Sequence, residues 1–209
     1  MKPLSYIIVG SGYRSEYYAR IAAAYPELFN ALYYCRSEEK AAKMQAKTGI
    51  RATVSLEECD RFNADFAVIV VNKDTIADVC EEWVKRGYPV VLETPAGSSV
   101  EKLCRLWELH EKHGARITVS EQYHRYPGLI AGLDAVASGK IGAPYYAYVS
   151  VAHDYHAASL LRKMLLTNGE DLVLHGERFA NPVVETDSRY GAVTNGRVFT
   201  RSEVILRLF

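Results

Sequence analysis

The alternation of strand-like and helix-like segments over residues 1–121 is the feature that most constrains the fold. Short apolar runs at residues 6–9 and 66–71 have the length and β-branched content of buried strands. Between the runs, apolar residues recur three and four positions apart, as Cys80 and Trp83 do, which is typical of helices that pack on a sheet. Because strands separated by helices of about ten to fifteen residues form βαβ units, the sequence predicts a doubly wound α/β domain with a parallel sheet.

Serine, aspartate and glycine residues mark the ends of three of the predicted helices. A side chain that can cap a helix precedes each of the three, and a glycine follows each one. The pairs of N-cap and terminal glycine are Ser37 and Gly49, Asp74 and Gly87, and Ser98 and Gly114. Ser98 and Glu101 also have the spacing of a capping box. An earlier helix is predicted over residues 15–24.

The pattern changes after residue 121, where we expect a domain boundary. Two further helices and one strand are predicted beyond it, over residues 126–138, 157–166 and 145–151. The second domain, residues 122–209, is short, and its apolar last segment at residues 203–209 requires a packing partner. We therefore expect a second α+β domain that is either reduced or incomplete.

Composition excludes several classes of partner. The 25 Lys and Arg residues balance 25 Asp and Glu residues, so the chain has no net charge to attract nucleic acid or an anionic membrane. Its longest apolar run is far shorter than the ~20 residues that span a bilayer, and the N-terminal run is too short for a signal peptide. Four scattered cysteines without a C-x-x-C pair indicate neither a disulfide framework nor a metal site, which favours a cytoplasmic protein.

A glycine-containing turn follows the first predicted strand and precedes the first helix. It reads Gly10-Ser11-Gly12-Tyr13-Arg14. In a dinucleotide-binding turn the first glycine permits a tight bend, and the second lets backbone N–H groups at the helix N-terminus approach a pyrophosphate. Ser15 replaces the usual third glycine and is small enough for close helix–strand packing. The sequence therefore predicts a dinucleotide site, and the alternative is a glycine turn that binds nothing.

The end of the second predicted strand bears on which dinucleotide would bind. It carries Arg36 and Ser37 and no carboxylate to accept a hydrogen bond from a ribose 2′-hydroxyl. A guanidinium attracts a 2′-phosphate that a carboxylate would repel, so this segment favours NADP over NAD. The alternative is that Arg36 is a solvated surface charge and Ser37 only a helix cap.

Several motifs together resemble the glucose–fructose oxidoreductase / inositol dehydrogenase / MocA family. They are Gly10-Ser11-Gly12, Val70-Val71-Asn72, Leu92-Glu93-Thr94-Pro95, Glu121-Gln122-Tyr123-His124-Arg125-Tyr126-Pro127 and Gly139-Lys140-Ile141-Gly142. The resemblance implies a Rossmann domain followed by a domain with an open, mainly antiparallel sheet, which carries the substrate and often the oligomer interface. It also implies NAD(P)-dependent oxidation or reduction of a sugar, cyclitol or similar polyol by a homo-oligomer, a dimer or a tetramer.

The resemblance and the turn chemistry together predict the cofactor-binding residues. They are Gly10, Ser11, Gly12, Tyr13, Arg14, Arg36, Ser37, Val71, Asn72, Glu93, Thr94 and Glu121. Two positions depart from the family pattern. Thr94 stands where the family has a lysine and is a poor acid or base at neutral pH. Ala152 stands where the family has an aspartate, four residues before His156.

His156 matches the family histidine and is the main catalytic candidate. A histidine can take the proton of a hydroxyl group while hydride leaves the same carbon. His153 and Asp154 lie on the same predicted turn and either orient His156 or share its role. Three alternatives stay open: a cluster that only packs and caps a helix, a regulatory dinucleotide-binding protein without hydride transfer, and a dehydrogenase that uses His153 or Tyr123 instead.

Overall fold

A six-stranded parallel sheet forms the centre of the N-terminal part of the protein. The structure, a computed structural model, describes residues 2–150, 153–171, 173–186 and 191–208. The strands are β1 (Leu4–Val9), β2 (Phe29–Tyr34), β3 (Ala52–Thr53), β4 (Phe66–Ile69), β5 (Val90–Leu92) and β6 (Ile117–Val119). Their order is β3-β2-β1-β4-β5-β6, and every neighbouring pair is parallel. The predicted doubly wound α/β architecture is confirmed.

Helices connect these strands and continue past the sheet. They are α1 (Ser15–Ala24), α2 (Glu38–Thr48), α3 (Leu56–Phe62), α4 (Ile76–Lys85), α5 (Val100–His113), α6 (Pro127–Ala137) and α7 (Asp154–Met164), with a 3₁₀ turn at Tyr123–Arg125. Helix α1 has the predicted bounds. Ser37 caps α2 as predicted, and Gly49 ends it in the left-handed conformation. The short β3 and α3 have no counterpart in the sequence-based prediction.

Two predicted caps are wrong. Ser99, not Ser98, caps α5, because its Oγ accepts the Lys102 N–H at 3.3 Å, so the helix begins one residue later than the capping-box spacing indicated. Asp74 does not cap α4. Its own N–H donates to Asn72 Oδ1 at 2.9 Å, so Asn72 organises the turn that precedes the helix.

The hydrophobic core has two layers, one on each face of the sheet. On β1, Ile7 and Val9 pack on one face with Trp83, while Tyr6 and Ile8 pack on the other. The first layer also takes side chains from α3, α4 and α5, and the second takes them from α1 and α2. Burial on both faces explains why the strands are continuously apolar rather than alternating. The carboxyl ends of these rigid strands position the candidate site.

The segment at residues 145–150 departs from the prediction. It forms no strand, and Tyr145 is 97% exposed. Within the described part of the chain no strand runs alongside it to take its backbone hydrogen bonds, so side-chain alternation alone does not make it a strand. Residue 151 of the predicted strand lies outside the described residues. Helix α7 starts three residues earlier than predicted, at Asp154.

The chain divides into two compact units, Met1–Met164 and Leu165–Phe209. The second unit contains β7 (Leu174–Val184) and β8 (Val198–Leu208), which pair as an antiparallel sheet with Leu174 opposite Leu208. The predicted last strand at residues 203–209 is the end of β8, and residue 209 lies outside the described residues. The expected domain boundary after residue 121 stays a prediction. Among the described residues no helix is both long and apolar enough to cross a membrane.

Candidate functional site

The turn between β1 and α1 is shaped by two glycines with opposite surroundings. Gly10 has φ +128°, and a Cβ added there would lie 2.2 Å from the Val70 carbonyl oxygen. Only glycine therefore allows the turn to pack against the end of β4. A Cβ at Gly12 would meet no atom within 4 Å, so this glycine faces open space at the N-terminus of α1. This arrangement fits a dinucleotide pyrophosphate, which needs close approach to backbone N–H groups there.

Ser15 closes the turn where a third glycine is usual. Its side chain is fully buried, and its Oγ donates to the Gly12 carbonyl oxygen at 2.7 Å. The Tyr33 hydroxyl on β2 donates to the Ser15 carbonyl oxygen at 3.0 Å. The serine therefore provides the predicted close helix–strand packing and also a hydrogen bond that stiffens the turn. Ser11, between the two glycines, is half-buried.

The two residues after Gly12 both contact Tyr17 on α1. The Tyr13 hydroxyl lies 2.7 Å from the Tyr17 hydroxyl. The Arg14 guanidinium lies 5.2 Å from the centroid of the Tyr17 ring, and its Nε is 3.8 Å from Glu93 Oε1. Arg14 therefore joins the turn to the end of β5.

Four further predicted cofactor residues follow β2 and β4. Arg36 and Ser37 are exposed after β2, and Ser37 Oγ accepts the Lys40 N–H at 3.4 Å. Ser37 thus caps α2, which was the alternative to its predicted role as a ligand of the 2′-phosphate. After β4, Val71 is half-buried beside the Gly10 turn, whereas Asn72 is exposed.

Glu93 is a buried carboxylate at the end of β5, and sequence reasoning missed its main partner, Tyr18. The Tyr18 hydroxyl donates to Glu93 Oε1 at 2.8 Å and lies 3.1 Å from Ser120 Oγ. Burial, and then the charge of Glu93, raise the pKa of Tyr18 above its ordinary value against an opposing hydrogen bond from Ser120. On α1, Tyr18 comes three residues after the buried Ser15, so helical periodicity places it on the side that faces the sheet. That periodicity was the available signal for its contact with Glu93.

Thr94 lies where the resemblance implies a lysine. Its N–H donates to Glu93 Oε2 at 3.2 Å, and the Thr94–Pro95 peptide is cis. The Thr94 side chain interacts with the Tyr155 hydroxyl. Burial raises the pKa of Tyr155, and this interaction partly opposes the increase. Thr94 thereby connects the end of β5 to α7.

His156 and Glu121 form a close pair. His156 Nδ1 lies 2.6 Å from Glu121 Oε2, and His156 is only 5% exposed. The rings of Tyr123 and Tyr155 lie 4.4 Å from the imidazole, centroid to centroid. Glu121, which we predicted among the cofactor residues, contacts the catalytic candidate, and its role toward the cofactor stays a prediction.

The other two catalytic candidates are exposed. The His153 ring stacks on Tyr155 at 5.3 Å and lies 5.9 Å from the His156 ring, and Asp154 is the first residue of α7. Ala152 lies outside the described residues. Contacts therefore continue from the Gly12 turn through Arg14, Glu93, Thr94 and Tyr155 to His156, with every link inside the first compact unit.

Comparison with known proteins identifies the family. Residues 4–121 match the model of an oxidoreductase family with an NAD-binding Rossmann fold, named for glucose–fructose oxidoreductase, inositol dehydrogenase and MocA. The chain belongs to this family. The match covers the sheet and both glycines of the β1–α1 turn, which confirms the resemblance inferred from the motifs. A search of curated proteins found no match.

Solved structures share the fold at low sequence identity. The WlbA dehydrogenase of Bordetella pertussis, solved with NADH and UDP-GlcNAcA, is 23% identical over 66% of this chain and 42% of its own, with a TM-score of 0.59. The apo scyllo-inositol dehydrogenase of Lactobacillus casei is 16% identical over 68% and 43%, with a TM-score of 0.58. The 3-ketoreductase KijD10 of Actinomadura kijaniata, solved with NADP and TDP-benzene, is 15% identical over 66% and 43%, with a TM-score of 0.55. The chain spans about two fifths of the length of the first solved structures that it matches.

Proposed function

We propose that this protein binds NAD(P) at the β1–α1 turn and transfers hydride between the cofactor and a sugar, cyclitol or similar polyol or carbonyl compound. The observation that carries the proposal is the pair of glycines in that turn. Gly10 is packed against Val70, while Gly12 leaves open space at the start of α1. Family membership supports oxidoreductase chemistry, and the sugar-related ligands and names of the solved relatives support the substrate class.

Backbone N–H groups of the turn that leads into α1 would bind the pyrophosphate, because they lie at the positive end of the helix dipole. We propose NADP as the preferred cofactor. Arg36 is exposed at the end of β2 and can pair with a 2′-phosphate, and the neighbouring Ser37 hydroxyl can donate to it. Ser11, Tyr13, Val71 and Asn72 line the same end of the sheet and complete the proposed cofactor site.

When bound, NAD(P) supplies the hydride acceptor or donor. His156 would exchange the hydroxyl proton of the substrate, because its Nδ1 is held by Glu121 and its Nε2 is the ring nitrogen left for proton transfer. His153 is exposed and stacks on Tyr155, so it would assist at the edge of the site together with Asp154. Glu93 and Thr94 would contact the cofactor at the end of β5.

The second candidate function is that of a regulatory protein that binds the dinucleotide without turnover. Thr94 favours this function, since its side chain interacts with Tyr155 and supplies no ammonium group at this position. In this case His156 and Glu121 would serve only to pack α7 against the end of β6.

Titration of the purified protein with NADPH and NADH, followed by nucleotide fluorescence, tests binding. We expect saturation below millimolar concentration, and no binding of either cofactor at that concentration would refute both functions. Steady-state assays with sugars, cyclitols and sugar nucleotides then separate the two. Turnover supports the oxidoreductase, and binding without turnover of any compound supports the regulatory protein.

We also propose a cytoplasmic homo-oligomer. The four cysteines are free, three of them buried, which supports a reducing compartment. The second compact unit exposes large apolar side chains, among them Phe179, Phe199 and Ile205, which a second copy would cover. Light scattering coupled to size-exclusion chromatography measures the mass directly, and a monomer at micromolar concentration would contradict this proposal.

A further inference from the structure

We infer that Glu121 is a positioning residue that holds His156 in one tautomer and one orientation, rather than a ligand of the cofactor. The inference rests on the proposed function, since it assigns His156 a proton to exchange. It changes the role expected for Glu121 from the sequence, and it gives His156 a carboxylate partner from a distant part of the chain.

The bond between the two side chains determines which ring nitrogen carries the proton. Glu121 Oε2 lies 2.6 Å from His156 Nδ1, and both side chains are largely buried. A carboxylate accepts hydrogen bonds, so the proton of this bond belongs to Nδ1. The neutral imidazole then has its lone pair on Nε2, which is the nitrogen that can take a proton from a substrate hydroxyl.

Glu121 is itself held in place. Its Oε1 accepts the Tyr123 N–H at 3.1 Å, and its own N–H donates to the Val119 carbonyl oxygen at 2.9 Å. The carboxylate therefore uses one oxygen for the backbone of the following 3₁₀ turn and the other for His156. A carboxylate fixed in this way can orient a ring without reorganising during a reaction.

The plane of the imidazole is fixed by two tyrosines. The rings of Tyr123 and Tyr155 lie 4.4 Å from it, tilted by 35° and 56°. His124 provides a contrast within the same region, because its Nδ1 is buried and has no hydrogen-bond partner among the described residues. Of these two histidines, His156 is the one held by a hydrogen bond to a carboxylate and by two aromatic rings, as a functional side chain would be.

The partner comes from an unexpected element. The resemblance implies an aspartate four residues before His156, but that position is Ala152. Glu121 lies 35 residues before His156 and follows β6. A carboxylate that follows the parallel sheet thus positions the histidine of α7 for proton transfer.

The tautomer can be measured on the free protein by two-bond ¹H–¹⁵N NMR of the histidine rings, with the His156 signal assigned from His156→Gln. We expect Nδ1–H in the wild type. Glu121→Met keeps the length of the side chain but removes the acceptor, so Nε2–H should become populated. Glu121→Gln keeps an acceptor oxygen without the charge, so the Nδ1–H tautomer should remain and its proton should shift upfield as the bond weakens. Glu108→Gln, an exposed carboxylate on α5, is the matched control.

Cofactor binding and turnover complete the test. We expect Glu121→Met to bind NADPH with wild-type affinity and to lower kcat by about 10²-fold with little change in KM. An unchanged ring signal in Glu121→Met would overturn the inference, as would cofactor affinity that falls while the tautomer stays the same. Should Glu121→Met fail to fold, an unchanged Nδ1 proton shift in Glu121→Gln would overturn it. Failure of the wild type to bind either cofactor would refute the proposed function alone, because the NMR result does not depend on it.

Discussion

The glycine turn after β1 and the environment of His156 are held together in different ways. The turn depends on backbone: Gly10 fits beneath Val70 because it lacks a Cβ, and the Ser15 hydroxyl bonds to the Gly12 carbonyl. His156 depends on side chains that come from separate elements, Glu121 above all. Adding atoms to the turn should therefore damage folding or cofactor binding, whereas removing functional groups around His156 should damage chemistry.

The largest expected effect is on catalysis. His156→Gln should lower kcat by about 10²- to 10⁴-fold, the usual contribution of a general base, because glutamine cannot take the substrate proton. Cofactor affinity should stay within about twofold, because His156 contacts Glu121 and two tyrosine rings rather than the glycine turn. Steady-state kinetics and NADPH titration measure the two quantities.

His113→Gln, an exposed histidine at the end of α5, controls for general effects of removing a histidine. His153→Gln decides between His153, which precedes α7, and His156, which lies in its first turn. A loss of kcat in His153→Gln that equals or exceeds the loss in His156→Gln would show that the assignment of the proton acceptor is wrong.

Gly10→Ala should affect folding next most strongly. The new Cβ would lie 2.2 Å from a backbone oxygen at a residue with φ +128°, so the end of β4 would have to move. We expect a loss of about 3 kcal/mol in the free energy of unfolding, from overpacking together with backbone strain. Urea denaturation followed by circular dichroism measures it.

Gly12→Ala is the matched control, because its Cβ would meet nothing within 4 Å. Its stability should change by less than about 0.5 kcal/mol, while dinucleotide affinity falls about tenfold through loss of a close pyrophosphate contact. Equal stability losses in the two variants would contradict the view that Gly10 shapes the turn and Gly12 serves the ligand.

The same contrast explains what could be predicted from the sequence. The sheet, the bounds of α1 and the glycine turn depend on local periodicity and on glycine chemistry, so a single sequence was enough. The bonds of Tyr18 to Glu93 and Ser120, separated by 75 and 102 residues, have no local pattern, and neither has the pair of Glu121 and His156. Sequence reasoning therefore placed Glu121 and His156 among the predicted site residues but did not predict their contact.

Two errors have local causes. The motif S-x-x-E matched Ser98 and Glu101, yet the adjacent Ser99 offers the same hydroxyl and makes the cap. The alternation over residues 145–151 indicated a strand, but a strand requires a neighbour that sequence periodicity cannot provide. In each case the sequence pattern showed which structure the side chains favour. The hydrogen bonds that the segment could form then determined which structure it adopts.

Tyr18→Phe should have a smaller effect on stability, and it tests the link between the turn and the end of β5. The variant removes the hydroxyl that donates to the buried Glu93 carboxylate. Hydrogen bonds to charged groups contribute about 2 kcal/mol, so we expect a loss of that order in urea denaturation. Tyr17→Phe, whose hydroxyl lies on an exposed residue of the same helix, should lose about 0.5 kcal/mol or less. Similar losses in both variants would mean that Glu93 does not need Tyr18.

The smallest expected effect concerns the choice between NADPH and NADH. Arg36 is exposed after β2, so its pairing with a 2′-phosphate is screened by water and contributes about 1 kcal/mol or less. Arg36→Ala should therefore weaken NADPH binding by up to about fivefold and leave NADH binding unchanged, with the difference shrinking as salt is added. Arg61→Ala, an exposed arginine on α3, controls for net charge. If Arg36→Ala weakens both cofactors equally, or neither, Arg36 is a surface charge that does not select between them.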